Sequence, residues 1–168
     1  FIKLMAIAPT HDTIFLFSNK GKIFAFKTYE IALASKTSRG KSLKGLINLA
    51  SGEEITAMCA IDSFEDDKYL CMVTKNGILK KTDINEFANA KKGGIIAINL
   101  KKDDELVEVK VVNKADDIVM ASQKGLLLRT NLMKMRSMGR TAAGIIGMRL
   151  EKNDFIIGLD VVQSNSSL

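Results

Sequence analysis

Three stretches of this chain carry the same parts in the same order: one or two basic residues, glycine, an aliphatic run and a closing leucine. They are Arg39-Gly40-Lys41-Ser42-Leu43-Lys44-Gly45-Leu46-Ile47-Asn48-Leu49, Lys91-Lys92-Gly93-Gly94-Ile95-Ile96-Ala97-Ile98-Asn99-Leu100, and Arg140-Thr141-Ala142-Ala143-Gly144-Ile145-Ile146-Gly147-Met148-Arg149-Leu150. Leu49, Leu100 and Leu150 stand 51 and 50 residues apart. A fixed period of that size constrains the fold strongly. Each period is one supersecondary unit that cannot bury its apolar face alone, so the units must stack or ring.

Other features keep the same phase. Thr13–Ser18, Tyr69–Thr74 and Ile118–Ser122 are apolar runs ending in Ser or Thr. Each is followed by two polar residues and a glycine (Gly21, Gly77, Gly125), then at once by a second apolar run. This spacing predicts three hairpins whose glycines take positive φ. A one-turn helical segment follows each hairpin, near Thr28-Tyr29-Glu30, Asp83–Phe87 and Asn131–Lys134, and Asp83 with Glu86 has capping-box spacing. The basic glycine box and its leucine come next. An acidic turn then follows, Gly52-Glu53-Glu54, Asp103-Asp104-Glu105 or Asn153-Asp154, and a further apolar run.

One repeat therefore reads as four strands in about 50 residues, with no stretch long enough for a crossover helix. The fold class is all-β, a propeller-like array of roughly three units over residues 1–162, with a polar tail or linker at 163–168. With 168 residues, 46% of them hydrophobic, the chain can bury a sizeable core. No apolar segment is long enough to cross a bilayer as a helix. The first residue is Phe1 rather than Met, so the chain reads as cut from a longer polypeptide.

Lys and Arg outnumber Asp and Glu by 25 to 19, a net charge of +6, and the two signs alternate in phase with the repeat. Lys20 to Lys44 and Lys124 to Arg149 are almost purely basic, and Lys68, Lys75, Lys80, Lys81, Lys91 and Lys92 occupy the matching phase. The acids fall in the other phase. In a stacked array, residues of one phase share one rim, so one basic and one acidic edge are expected. A basic edge is the electrostatic footprint of a nucleic-acid backbone. The candidate phosphate contacts are Arg39, Lys41, Lys44, Lys91, Lys92, Arg136 and Arg140 in or beside the glycine boxes, where small residues let a ligand approach the backbone. Lys20, Lys75 and Lys124 at the hairpin tips are weaker candidates.

No constellation for catalysis or metal binding emerges. Gly40-Lys41-Ser42 lacks the earlier glycine of a phosphate-binding loop, since position 35 is Ser35. Cys59 and Cys71 sit in apolar runs and read as reduced, buried thiols; with only His11 beside them they cannot make a zinc site. The carboxylate pairs Asp66-Asp67, Asp103-Asp104 and Asp116-Asp117 read as solvated turns.

Several stretches together resemble the C-terminal domain of the gyrase A protein, and that of its topoisomerase IV counterpart. They are His11-Asp12 through Ile23, Asn48 through Ala57, Thr74 through Thr82, Gly94 through Leu100 and Met138 through Gly147. The resemblance to this DNA gyrase family implies a β-pinwheel in which neighbouring blades exchange strands, here an incomplete ring of a six-bladed disc. It implies duplex DNA wrapped on a basic rim, giving directional strand passage and negative supercoiling in a bacterial, cytoplasmic, nucleoid-associated enzyme. The implied partners are the rest of the gyrase A protein and the gyrase B protein in an A2B2 holoenzyme, with no membrane. The cleaving tyrosine, ATP and Mg2+ would belong to other parts of that holoenzyme, so no cofactor is expected in this chain. The Gln-Arg-Arg-Gly-Gly-Lys-Gly-type box that distinguishes gyrase is not in this sequence and would lie upstream of Phe1. A topoisomerase IV domain that senses DNA geometry stays open, as does a protein-interaction propeller of kelch-like period. The repeated Lys and Arg, with only 6% aromatics, argue against the interaction propeller.

Overall fold

The computed structural model describes residues 2–35 and 37–162; the polar tail 163–168 lies outside the described residues. Eleven strands are described: β1 (Thr13–Ser18), β2 (Lys22–Lys27), β3 (Ile55–Ile61), β4 (Lys68–Thr74), β5 (Ile78–Asp83), β6 (Ile95–Ile96), β7 (Leu106–Asn113), β8 (Asp117–Ser122), β9 (Leu127–Asn131), β10 (Ile145–Ile146) and β11 (Ile156–Val162). Helical structure among these residues is limited to short 3-10 turns. The expected hairpins are β1–β2, β4–β5 and β8–β9, and Gly21, Gly77 and Gly125 turn them with φ of 75°, 81° and 86°. The one-turn segments also form, but Asp83 caps its turn by accepting from Asn85 N at 2.9 Å rather than through a box with Glu86.

The strands form three antiparallel sheets, ordered β3-β1-β2-β6, β7-β4-β5-β10 and β11-β8-β9. The fourth strand of a sheet comes from the next repeat. β6 of the second repeat pairs with β2 of the first, Ile95 opposite Ile23, and β10 of the third pairs with β5 of the second, Ile145 opposite Leu79. The first repeat departs from the expected four strands, because its glycine box forms a 3-10 turn at Leu43–Gly45. Within this chain that box has no preceding blade to pair with. The third sheet has three strands for the converse reason.

The core lies between blades. Phe15, Phe17 and Ile23 of the first blade pack on Leu70, Met72, Ile84 and Phe87 of the second, with Ala97 and Ile98 of the crossing arm filling the seam. Cys71, Val73 and Leu79 on the other face of the second blade pack on Ile118, Met120, Leu132 and Ile156 of the third. Successive residues of a strand point to opposite faces. A middle blade covered on both faces therefore needs an unbroken apolar run, which is how Leu70–Val73 reads. Cys59 and Cys71 are free thiols in different seams, and burial pushes both up to about 12.

A repeated polar clamp holds each hairpin to its own outer strand. Ser18, Thr74 and Ser122 donate their hydroxyls to Glu53 (2.6 Å), Asp104 (2.7 Å) and Asp154 (2.7 Å). The same hydroxyl oxygens accept from the amides of Lys22, Ile78 and Leu126, four residues on. Asp104 and Asp154 also accept from the amides of Asn76 and Lys124, across the turn. These three acids are buried, so Asp104 is structural rather than the solvated turn acid expected, and Glu53 and Asp154 play the same part in their repeats. Burial raises the carboxyl of Asp154, but its hydrogen bonds from Ser122, Lys124 and Phe155 outweigh that and hold it below the usual value.

Replacing Asp104 by Ala should destabilise the fold by about 1–3 kcal/mol, since Thr74 Oγ1 and the Asn76 amide lose their acceptor. Thr82 is a contrasting case, because its buried Oγ1 has no hydrogen-bond partner. Thr82→Val should be neutral or stabilising. Urea unfolding of both variants checks the pair, and equal losses would contradict the clamp.

Candidate nucleic-acid interface

The glycine boxes of the second and third repeats lead into the exchanged strands, so each lies against the preceding blade. Gly94 and Gly144 adopt φ of 77° and 92°. A Cβ on Gly94 would meet the Phe24 ring at 2.5 Å, and one on Gly144 would meet Leu79 O at 2.8 Å. These glycines are small because the preceding blade approaches them. That differs from the expectation that they open space for a ligand. Gly93 and Gly139 do face open space.

The backbone of each box is tied down from the blade before it. Lys91 O accepts from Ala25 N (3.3 Å) and Lys92 O from Asn48 N (3.1 Å). In the next repeat Ala142 O accepts from Asn99 N (3.3 Å) and Thr141 O from Asn99 Nδ2 (2.6 Å). Lys92 and Ala142 occupy the same phase, as do Asn48 and Asn99, so the box backbones share an anchor. Their side chains are left at the surface. Lys91 and Arg136 are exposed, and Lys92 and Arg140 half-exposed. Lys92 pairs with Glu30, whose carboxyl is held below its usual value chiefly by that contact.

The remaining candidates fall elsewhere. Arg39, Lys41 and Lys44 are exposed on the unpaired box of the first repeat, which covers the outer face of the first blade through Ile47. Lys20, Lys75 and Lys124 stand at the hairpin tips. Gly21 at a tip bonds to Ala97 and Ile98, whereas Lys91 reaches Ala25, four residues up the strand or about 13 Å away. The tips thus sit at the level of the acidic turns. Lys75 pairs with Glu105 at 3.7 Å, and Lys124 donates to Lys152 O at 2.7 Å. The fold does not bring tip and box lysines to one level.

Three lysines read as rim charge are otherwise employed. Lys68 is held by Asp62 and Glu65 at 3.1 and 3.4 Å. Lys80 and Lys81 are buried on opposite faces of β5. Lys80 Nζ donates to Ala97 O (2.7 Å) and Arg140 O (2.5 Å), while Lys81 Nζ donates to Leu132 O (2.6 Å) and lies 5.0 Å from the Tyr69 ring centroid. Burial pushes the Lys80 ammonium down to about 8 and lowers Lys81 as well. Adjacent lysines in a strand between two covered faces could have signalled this, because one must point each way. Among the described residues no group of His, Cys, Asp and Glu could hold a metal ion.

The chain matches the family described as "DNA gyrase C-terminal domain, beta-propeller" three times, over residues 12–58, 68–113 and 116–163, one match per repeat. The chain belongs to the DNA gyrase C-terminal domain family. Its similarity to the gyrase A protein of Leptospira biflexa is 48% identity over 143 residues, 85% of this chain and 17% of that protein. With the gyrase A protein of Helicobacter pylori strain 26695 it is 39% over 168 residues, 99% of this chain and 20% of that protein. The chain thus spans about a fifth of these relatives. The solved C-terminal domain of DNA topoisomerase IV superposes with a TM-score of 0.83 at 28% identity, covering 92% of this chain and 48% of that one. The solved DNA gyrase A C-terminal domain superposes with a TM-score of 0.78 at 30% identity, covering 94% and 50%. The all-β propeller-like class expected from the period is thus the fold of the gyrase C-terminal domain family.

The lowered value of Lys80 has a signed consequence. The unfolded chain binds this proton more tightly than the fold does, so the cost of burying the charge is fully present below pH 8. It is relieved as pH rises from about 8 toward the ordinary lysine value of 10.5. The unfolding free energy should therefore rise across that window relative to Lys80→Met, in which the group is absent. Denaturation at pH 7.5 and 9.5 checks this, and a constant difference would contradict it.

Proposed function

We propose that this chain is a non-catalytic DNA-binding and DNA-wrapping module of a bacterial type II topoisomerase. The observation that carries the reading is the repeated box. In successive blades a basic loop leads into the exchanged strand, anchored by Asn48 under Lys92 and by Asn99 under Thr141 and Ala142. Basic groups carried on the same loop of successive blades suit a phosphate backbone that passes from blade to blade. Arg39, Lys41, Lys44, Lys91, Lys92, Arg136 and Arg140 are the proposed contacts, with Lys20, Lys75 and Lys124 weaker because they lie at the level of the acidic turns. Contacts to phosphate rather than base edges make binding tolerant of sequence and favourable to DNA that bends cheaply.

The partners follow from the relatives, which are gyrase A proteins. They are duplex DNA, the rest of the gyrase A protein, and the gyrase B protein in an A2B2 holoenzyme whose ATP and Mg2+ are bound outside this chain. Wrapping would give strand passage its direction and drive negative supercoiling in the bacterial cytoplasm, at the nucleoid. Coverage of about half of each solved domain supports a six-bladed disc of which these are three blades. Gyrase is favoured by 39–48% identity to gyrase A proteins. The fit to the topoisomerase IV domain supports the alternative of a domain that senses DNA geometry.

Each phosphate contact removed should lower the slope of log K against log salt by about 0.9. Replacing Lys92 and Arg140 together by Ala should weaken duplex binding and flatten its salt dependence with the fold intact. The same change at Lys102 and Lys152, beside the acidic turns, should do little. Fluorescence titrations at several salt concentrations decide, and equal behaviour of the two pairs would overturn this assignment of contacts.

A further inference from the structure

Lys80 is an expensive residue in its position. Counting from the hairpin glycines, Gly77-Ile78-Leu79-Lys80 aligns with Gly21-Lys22-Ile23-Phe24 and with Gly125-Leu126-Leu127-Leu128. The first blade places the buried ring of Phe24 under the box of the following repeat. The same register therefore accepts an apolar side chain, and an ammonium taken out of water costs free energy unless it is well paired. Stability alone does not call for lysine there.

The hydrogen bonds of Lys80 indicate what it does instead. Its Nζ holds Ala97 O of one exchanged arm and Arg140 O of the next. Thr141 O and Ala142 O are held in turn by Asn99 Nδ2 and Asn99 N. Three consecutive carbonyls thus face groups of the preceding repeat. In a trans peptide the N–H of the next residue points opposite to the C=O, and the described residues contain no cis bond. The amides of Thr141, Ala142 and Ala143 are therefore directed away from that repeat. Ala142 N closes a turn on Gly139 O at 3.1 Å. That leaves the Thr141 and Ala143 amides, next to Arg140 in the chain, as main-chain donors that an anion could engage.

We propose that Lys80, acting with Asn99, is a positioning residue that turns the Arg140–Ala143 loop so that the Arg140 guanidinium and the Thr141 and Ala143 amides take one phosphate of bound nucleic acid. This rests on the DNA-binding reading above and adds a specific subsite to it. In the second repeat the carbonyls that correspond to Thr141 O and Ala142 O, Lys91 O and Lys92 O, are held by main-chain amides, and the register of Lys80 is filled by Phe24. The buried cation distinguishes the third-repeat loop.

The test is a double-mutant cycle in the full-length protein, with a labelled duplex titrated at several salt concentrations. Lys80→Met places an apolar side chain where the first blade buries Phe24, but it also leaves Ala97 O and Arg140 O without their donor, so its melting temperature is measured beside its affinity. The substitution should weaken binding about as much as Arg140→Ala, on the order of tenfold, the worth of one charge-assisted contact. The salt slope should fall by about 0.9 in each single variant, and the double variant should lose no more than either. Full additivity, or parental affinity and slope in a Lys80→Met protein that melts normally, would overturn the proposal. If Lys80→Met melts lower, Asn99→Ala takes its place. It removes only the bond to Thr141 O, should weaken binding non-additively with Arg140→Ala, and sinks the proposal if it binds like the parent. Failure of the unsubstituted protein to bind duplex would instead identify the DNA-binding reading as the error, and both would fall.

Discussion

Two main-chain carbonyls carry the architecture. Gly21 O accepts from the amides of both Ala97 and Ile98, and Gly77 O accepts from Gly147 and Met148. These bonds fasten an arm of one repeat across the hairpin tip of the repeat before it. A two-residue strand such as Ile95-Ile96 has too few ladder bonds to persist alone. It is held because the arm continues into buried Ala97 and Ile98, which fill the seam between blades. Interlocking of this kind makes each blade incomplete without its neighbour. It also explains why hairpin glycines are required here beyond their positive φ: a Cβ on Gly21 would sit 2.6 Å from Ile98 O.

Charge in this molecule has two uses that composition cannot separate. Part of it is internal scaffolding: Glu53, Asp104 and Asp154 clamp the hairpins, and Lys80 and Lys81 hold main-chain carbonyls between blades. The rest stays at the surface, where Lys91, Arg136 and the half-exposed Arg140 stand on loops tied down from beneath. Scaffolding and presentation are linked at one point, because Lys80 is bonded to the carbonyl of Arg140 itself. A buried cation under a basic loop also adds to the positive field there, and Arg140 in turn opposes the charge on Lys80.

Much of the fold was legible in the chain. Period, hairpins and one-turn segments followed from local rules of periodicity and turn chemistry, because glycine at a positive φ and an apolar run are properties of a few adjacent residues. The box candidates were legible in the same way, as basic residues recurring at one phase. The clamp acids were not. Ser18 and Glu53 are 35 residues apart, Thr74 and Asp104 are 30, and Ser122 and Asp154 are 32. Nothing local distinguishes Asp104, which is buried, from Asp103 beside it, which takes φ of 60° in the turn. Their common phase after each marker leucine was the available signal, and it reads equally well as a charged edge.

The sequence by itself determined that this protein is a repeating all-β array with three hairpins and a basic loop in each period. Those features arise from the order of residue types along the chain. Only the tertiary structure decided which blade each box strand belongs to, since hydrogen-bonded pairing across repeats depends on approach in space. It also decided which charges face solvent. Lys80 and Lys92 look alike in sequence, yet one is enclosed by two blades and the other stands on a loop outside them. Burial is a property of the neighbours a residue acquires, and here those neighbours come from other repeats.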